Sequence, residues 1–390
     1  MRCDSLCVSL YETRRVIPQS TAVFSRGVPQ SRSGRLEATP LTFLEMTSSP
    51  FTTTHHSDVQ SRMPAVALSL SQVGVTGVEK VIRIRQNGAS ADGTAGNAND
   101  GQQLFSARFE CVVDLGANQK GAHMSRFEEV VNEAIGQVVL GEATFKAETL
   151  AEHIAQLVRE RQGARRAEVT VHARFPEHKP APVSGIQTQE LYTLHGSAIC
   201  TELGTRRLIG VTAQGITACP CAQELVAANA RLGLIAEGYD DDAIDRILDI
   251  VPVATHNQRG LGTLHIGCPE DCNEEIDAAT LLKIVESSMS SEIYELMKRS
   301  DEAHVVEKAH RRPRFVEDCV REMVKGVIEE FPQLNDGAFV SARQENLETI
   351  HQHNVIAERF GTLGEIREEL ATGLTSAVHT SRRAWLDATP

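Results

Sequence analysis

Aromatic side chains are scarce in this 390-residue chain: they make up 4% of it, with a single tryptophan, Trp385. A base-stacking platform or a carbohydrate cleft lined by rings therefore has little raw material, and a ligand must be held mostly by polar groups. No apolar run of about 18 residues occurs, so no segment reads as a membrane-spanning helix. Cysteine is sparse as well. Nine thiols, an odd number, are spread over the chain, which excludes a dense secreted disulfide scaffold and predicts a reducing, cytoplasmic compartment. Positive charge is in deficit, 39 Lys plus Arg against 52 Asp plus Glu for a net −13. That balance argues against a nucleic-acid binder, yet a local basic pocket can still receive an anion. The remainder is ordinary for a globular protein, 41% hydrophobic and 23% charged, and long enough for two domains.

Lysine is absent from residues 1–62, which carry seven arginines and five acids and show no sustained apolar period. They read as a disordered or targeting extension. An Arg- and Ser-rich leader predicts organelle targeting if the source is eukaryotic, whereas Met46 and Met63 offer alternative starts. Residues 1–15 lack the apolar core of a secretory signal.

Beyond the leader, alternating apolar positions predict strands at 78–84, 104–115, 167–175 and 189–201, with a Gly/Asn/Ala/Asp-rich loop at 87–101 and helices at 126–138 and 144–161. A second series follows: strands at 206–216, 261–267 and 337–348, and helices at 223–235, 277–298 and 315–331. The spacing predicts an α+β chain of two tandem ββααββ modules, residues 63–203 and 204–360, with antiparallel sheets and helices on one face, then a tail at 361–390.

Chemistry concentrates in a few strings. Thr217-Ala218-Cys219-Pro220-Cys221-Ala222-Gln223 places two thiols where a strand gives way to a helix, and the helix N-terminus favours their thiolate form. Thr255-His256-Asn257-Gln258-Arg259 precedes a strand that can pair beside the one ending at Cys219, so imidazole and thiolate could form a Cys/His metal site with an open position. Cys268 and Cys272 form a rival pair with acidic neighbours but no adjacent histidine. Lys120, His123 and Arg126 crowd a helix start with Ser125 as its expected cap, which suits a phosphate as well as a solvated helix end. The charged run from Tyr294 to Glu302 and the helix opening Arg314-Phe315-Val316-Glu317-Asp318 read as solvated faces or helix pairs. In an extended segment His351 and His353 would point to one side, suited to acid–base work or phosphate binding.

In combination these strings resemble the type IB GTP cyclohydrolases, from about Gly77 to Phe360. The resemblance rests on the Gln-Lys-Gly-x-His-Met-Ser-Arg core at 119–126, on 217–223 and 255–259, on Lys-Arg-x-Asp-Glu at 298–302, and on 315–318 and 345–354. It implies a tunneling fold, a homotetramer with interfacial active sites, and conversion of GTP and water to 7,8-dihydroneopterin triphosphate and formate, the entry to folate and pterin synthesis. An archaeal branch makes a cyclic phosphate. It further implies one divalent metal per site (Zn, Mn or Fe) on Cys219, His256 and Glu302, with Cys221 nearby. Glu317 would anchor guanine, and Lys120, His123 and Arg126 would hold the triphosphate. Glu348, His351 and His353 would serve proton transfer or phosphate contact. Here the segment between Cys221 and His256 is longer than in compact members, with an extra helical piece at 240–250. Two rivals remain: an NADPH-dependent nitrile reductase of queuosine synthesis, similar at 315–319 but lacking its Glu-Ser-Lys-Ser stretch, and a non-catalytic pterin- or guanine-binding module.

Overall fold

The structure is a computed structural model that describes residues 58–85, 102–138, 146–269, 274, 276–375 and 378–388. The expected leader up to residue 57, the loop at 87–101 and Cys272 lie outside the described residues. The order opens with strands β1 (Leu70–Arg85) and β2 (Gln102–Leu115), helices α1 (Met124–Val138) and α2 (Ala147–Gln162), and strands β3 (Arg166–Pro180), β4 (Gln187–Thr201) and β5 (Thr205–Ala218). Helices α3 (Pro220–Ala236) and α4 (Asp241–Ile250) follow, then β6 (Asn257–Cys268), α5 (Ala278–Ser288), the short β7 (Ser291–Glu292), α6 (Arg299–Arg311) and α7 (Val316–Glu330). The described chain closes with β8 (Phe339–Leu347), β9 (Val355–Thr362), α8 (Leu363–Thr372) and α9 (Arg382–Asp387).

Local sequence accounts for most of these elements. In β3, Ala167, Val169, Val171 and Ala173 are all buried, as strict alternation on a half-covered sheet demands. Helix α2 buries Leu150, Ile154 and Val158 on one stripe. It stops at Gly163, whose φ of 64° lets its N–H reach the carbonyls of Arg159 and Glu160. Helix α3 opens on Pro220, whose missing N–H costs nothing in the first turn.

The expected pair of ββααββ modules, each with its own sheet, is corrected. The described strands form one antiparallel sheet in the order β1-β2-β3-β4-β5-β6-β8-β9, with β7 pairing β5 as a spur. The cause lies at the join. A tight turn returns the chain from β4 into β5, where Thr201 N–H donates to Gly204 O at 2.9 Å, and the two strands pair from Cys200–Thr205 to Thr193–Thr212. Ladder hydrogen bonds thus run through the point where two sheets were expected to part. The second half also departs from the unit, because α3 and α4 stand between β5 and β6.

The helix expected at 277–298 is broken as well. Its serine run, 287–291, takes hydrogen bonds elsewhere. Ser287 and Ser288 hydroxyls donate back to the carbonyls of Ile284 and Val285, and Ser290 Oγ accepts Ala218 N–H at 3.1 Å. Serine side chains that compete for backbone groups end helices, and Ser291 joins β5 instead. At the first helix, α1 already begins at Met124, so Ser125 lies inside its first turn.

Nor do the helices keep to one face. The larger core packs α1, α2, α5 and α7 against Phe109, Val171, Val211, Leu264 and Val340 on one side of the sheet. Helix α9 covers the other side, where Trp385 and Leu386 meet Ile199, Leu208 and Phe339. The indole stacks on Phe339 with ring centres 5.7 Å apart and donates to Gly337 O at 2.9 Å. The Arg206 guanidinium lies 5.0 Å from its ring centre. A β-carbon at Gly267 would stand 2.7 Å from the indole, so only glycine permits the seat. Trp385→Ala is expected to cost about 3 kcal/mol of stability, read as a lower urea midpoint by circular dichroism. An unchanged midpoint would show that α9 adds nothing to the fold.

Candidate functional site

The register brings several of the expected site residues to one end of the sheet. β5 ends at Ala218, paired with Asn257 at the start of β6. Just past that pair Cys219 N–H donates to His256 O at 3.1 Å, and Thr255 Oγ1 donates to Cys219 O at 2.8 Å. Cys219 is the half-buried N-cap of α3, its side chain making no capping bond, and Cys221 is exposed in the first turn. β8 ends beside them. Its outgoing loop is tied down by Thr349 Oγ1, which donates to Asn257 O at 2.9 Å.

That loop carries Glu348 to His256. His256 Nδ1 and Glu348 Oε2 stand 3.9 Å apart, their side chains 16% and 6% exposed, and both atoms are buried without a hydrogen-bond partner. The separation is too long for a hydrogen bond. Two buried lone-pair atoms left unmatched side by side call for a shared partner, and imidazole and carboxylate are a donor set that suits a divalent ion. By this test His256 and Glu348 are suited to a metal ion. His351 and His353 follow in the bends before β9, both exposed, with rings stacked at 5.2 Å and 17°. They sit in a turn rather than the extended segment expected.

The remaining candidates are spread out. Glu302 is exposed on the first turns of α6, in a groove it shares with Pro252, Ala254, Arg299 and His310. Among the described residues no three His, Cys, Asp or Glu side chains converge as a metal cluster. Glu317 is exposed at the start of α7, at one end of a cavity of about 650 Å³ between α7, β9 and α8. α7 is drawn toward Cys219 by Arg314, whose N–H donates to Ala218 O at 2.9 Å.

Lys120, His123 and Arg126 lie at the opposite end of the sheet. They follow Leu115, the last residue of β2, and β2 pairs there with the start of β3, next to the end of β4 and the start of β5. Cys219 follows the other end of β5, whose 14 residues span about 45 Å at ~3.3 Å each. His123 Nε2 stands 3.5 Å from Asp58 Oδ2, and Arg126 Nη1 donates to Arg161 O at 2.9 Å. Lys120 is exposed.

Asp301 had been grouped with a solvated charge run, yet it is fully buried. Its carboxylate accepts from Val183 N–H, Ser184 N–H, Ser184 Oγ and Lys298 N–H at 2.7 to 2.8 Å. Burial opposes its ionisation, but these donors from Ser184, Lys298 and Val183 prevail and hold the carboxyl well below the usual range. The signal was an acid three residues into a helix, where it can reach back to the chain entering it. Among the thiols, burial pushes Cys111 and Cys319 up to about 12. Cys319, the cysteine of the reductase-like stretch, is thereby a poor nucleophile, and Cys268 is buried too. No helix among the described residues is long and apolar enough to cross a membrane.

Comparison with known proteins adds the following. Residues 57–357 match the family model described as type I GTP cyclohydrolase folE2. The chain is 38% identical over 322 residues to GTP cyclohydrolase MptA of Methanococcus maripaludis, covering 81% of this chain and 98% of that protein. It is 40% identical over 317 residues to GTP cyclohydrolase MptA of Methanothermobacter thermautotrophicus, covering 80% and 95%. Among solved structures, uricase from Arthrobacter globiformis superposes with a TM-score of 0.43 at 8% identity, over 75% of this chain and 93% of that one. A uricase from Bacillus fastidious does so with 0.41 at 9%, over 79% and 98%.

Proposed function

Because the chain belongs to the type I GTP cyclohydrolase folE2 family, we propose that it hydrolyses and rearranges GTP in pterin biosynthesis: C8 leaves as formate, and the freed diamine closes onto the rearranged ribose, with loss of water, to give 7,8-dihydroneopterin triphosphate. The enzyme is then a hydrolase acting on the cyclic amidine carbon–nitrogen bond of the imidazole ring. The observation that carries the reading is the backbone pairing of Cys219 with His256, beside the unmatched His256 Nδ1 and Glu348 Oε2.

Cys219, His256 and Glu302 would hold one divalent ion, Zn, Mn or Fe, with Glu348 against His256. Such an ion supplies Lewis acidity that makes water nucleophilic at neutral pH. The chain's own groups do the rest. The Glu317 carboxylate accepts N1–H and the exocyclic amine of guanine, whereas adenine would leave it without those donors. His351 and His353, with Glu348, carry protons to the ring nitrogens as C8 is hydrated and cut away, and Cys221 stands in the same helix turn as Cys219.

Lys120, His123 and Arg126 hold the triphosphate, but they lie at the far end of the sheet from Cys219 in their own chain. A second copy must therefore bring its own Lys120, His123 and Arg126 to this site. Interfacial active sites are proposed on that ground, in the homotetramer that the family resemblance implies.

The test uses protein stripped by chelator and reloaded without oxygen with Mn, Fe or Zn. GTP is expected to yield formate and a fluorescent oxidised pterin only after reloading, and chromatography separates the linear triphosphate from a cyclic phosphate. Absence of product with all three metals, from a folded protein, overturns the reading.

A further inference from the structure

We propose that Gln223 is a positioning residue that sets the approach of His256 to Cys219; this rests on the reading of those two residues as metal ligands. Gln223 lies in the first turn of α3, and its backbone N–H donates to Cys219 O at 3.3 Å. Its side-chain amide uses both protons on two carbonyls from different parts of the chain: Val253 O at 2.8 Å and His310 O at 2.6 Å. Val253 is three residues before His256, whose own carbonyl accepts Cys219 N–H. The contacts form a closed circuit, from Cys219 through the helix turn to Gln223, across to Val253, along the linker to His256 and back.

Two features make the amide the decisive tie. First, α3 has no buried residue along its 17-residue length, so apolar packing does not fix its N-terminal turn. Second, residues 251–256 have no helix or strand of their own, and side chains capture their carbonyls. Beyond Val253, His310 Nε2 faces Thr255 O at 3.4 Å. Arg311 donates to Asp249 O and Ile250 O at 3.0 and 2.9 Å, holding the end of α4 just before the linker. Gln223 therefore joins the helix bearing both candidate thiols, the linker bearing the candidate imidazole, and α6, which bears Glu302. Among uncharged side chains of this length only the primary amide offers two diverging donors to two neutral carbonyls. Glutamate would set negative oxygens against them, and methionine would leave both without a donor.

The experiment is a titration of the metal-stripped, full-length protein with Co²⁺, followed by the thiolate-to-cobalt absorption band, for the parent, Gln223→Met, Gln223→Asn, Cys219→Ala and His256→Ala. For Gln223→Met the apparent affinity is expected to fall about 10- to 100-fold, the range seen when a ligand's supporting partner is lost, with a weakened band and unchanged circular dichroism. Gln223→Asn, one methylene short, should fall between parent and methionine variant and serves as the deciding variant if Gln223→Met does not fold. Parental affinity and band in the Gln223 variants, with the band lost in Cys219→Ala, overturns the proposal alone. Parental behaviour in all five proteins overturns the ligand reading and the proposal with it.

Discussion

Cys219→Ala is expected to lower formate release from GTP by about three orders of magnitude or more, because it removes a ligand from the ion on which activation of water depends. The substitution is mild for the fold. Cys219 is a half-buried N-cap whose side chain makes no capping bond, and the groups that join it to its surroundings, its N–H to His256 and its carbonyl to Thr255, are backbone atoms that alanine keeps. Stability should change by less than about 1 kcal/mol, as for a site without core packing. Activity and stability are therefore predicted to separate. The measurement is formate release beside a urea unfolding curve. Parental turnover in Cys219→Ala would remove the thiol from the mechanism, and a collapsed unfolding midpoint would make its role structural.

Mixing two inactive proteins is expected to restore activity. Lys120→Glu reverses a charge on an exposed side chain at one end of the sheet, and Cys219→Ala removes a thiol at the other. If each site draws these residues from different copies, random reassociation of the two variants in equal amounts places an intact Lys120 against an intact Cys219 in roughly one quarter of sites. Each variant alone stays near zero, so the gain is large and needs only a formate assay after dissociation and reassembly. A mixture as inactive as its parts, with mixed oligomers demonstrated, would show that both residues act within one chain or that Lys120 does not touch the substrate.

How much of this was readable beforehand depends on the range of the interaction. Strands with strict alternation, such as the one holding Val169, Val171 and Ala173, follow from local pattern because one face is buried. The serine run at 287–291 misled for the opposite reason. Its side-chain bonds, including Ser290 with Ala218, are made across the fold, and a helical period continues through it on paper. The continuity of the sheet was hidden because a strand's pattern does not name its neighbour: β4 pairs both β3 and β5. β9 escaped notice because as an edge strand it fully buries only Gly361 and leaves its other residues half-buried or exposed.

At the site the same division holds. The pairing of residue 219 with 256 follows from two strands meeting end to start, whereas the distance of Lys120 from Cys219 depends on strand direction through three successive pairings. Asp301 and Gln223 were invisible as site residues, since an acid in a charged run and a glutamine in a helix declare nothing until their partners, 117 and 30 residues away, are known.

The bracket at Asp301 bears on how this chain can vary. The turn between β3 and β4 is a surface hairpin, the sort of place where insertions and deletions ordinarily accumulate. Here two successive residues of that turn, Val183 and Ser184, spend their N–H groups on one buried carboxylate at the start of α6, next to Glu302. A change of hairpin length by a single residue would take these donors, and the Ser184 hydroxyl with them, out of reach and leave that charge buried with only Lys298 N–H. Drift in this loop is thus expected to be in residue identity and not in length, with the polar hydroxyl of Ser184 exchanged for threonine more readily than the turn is extended.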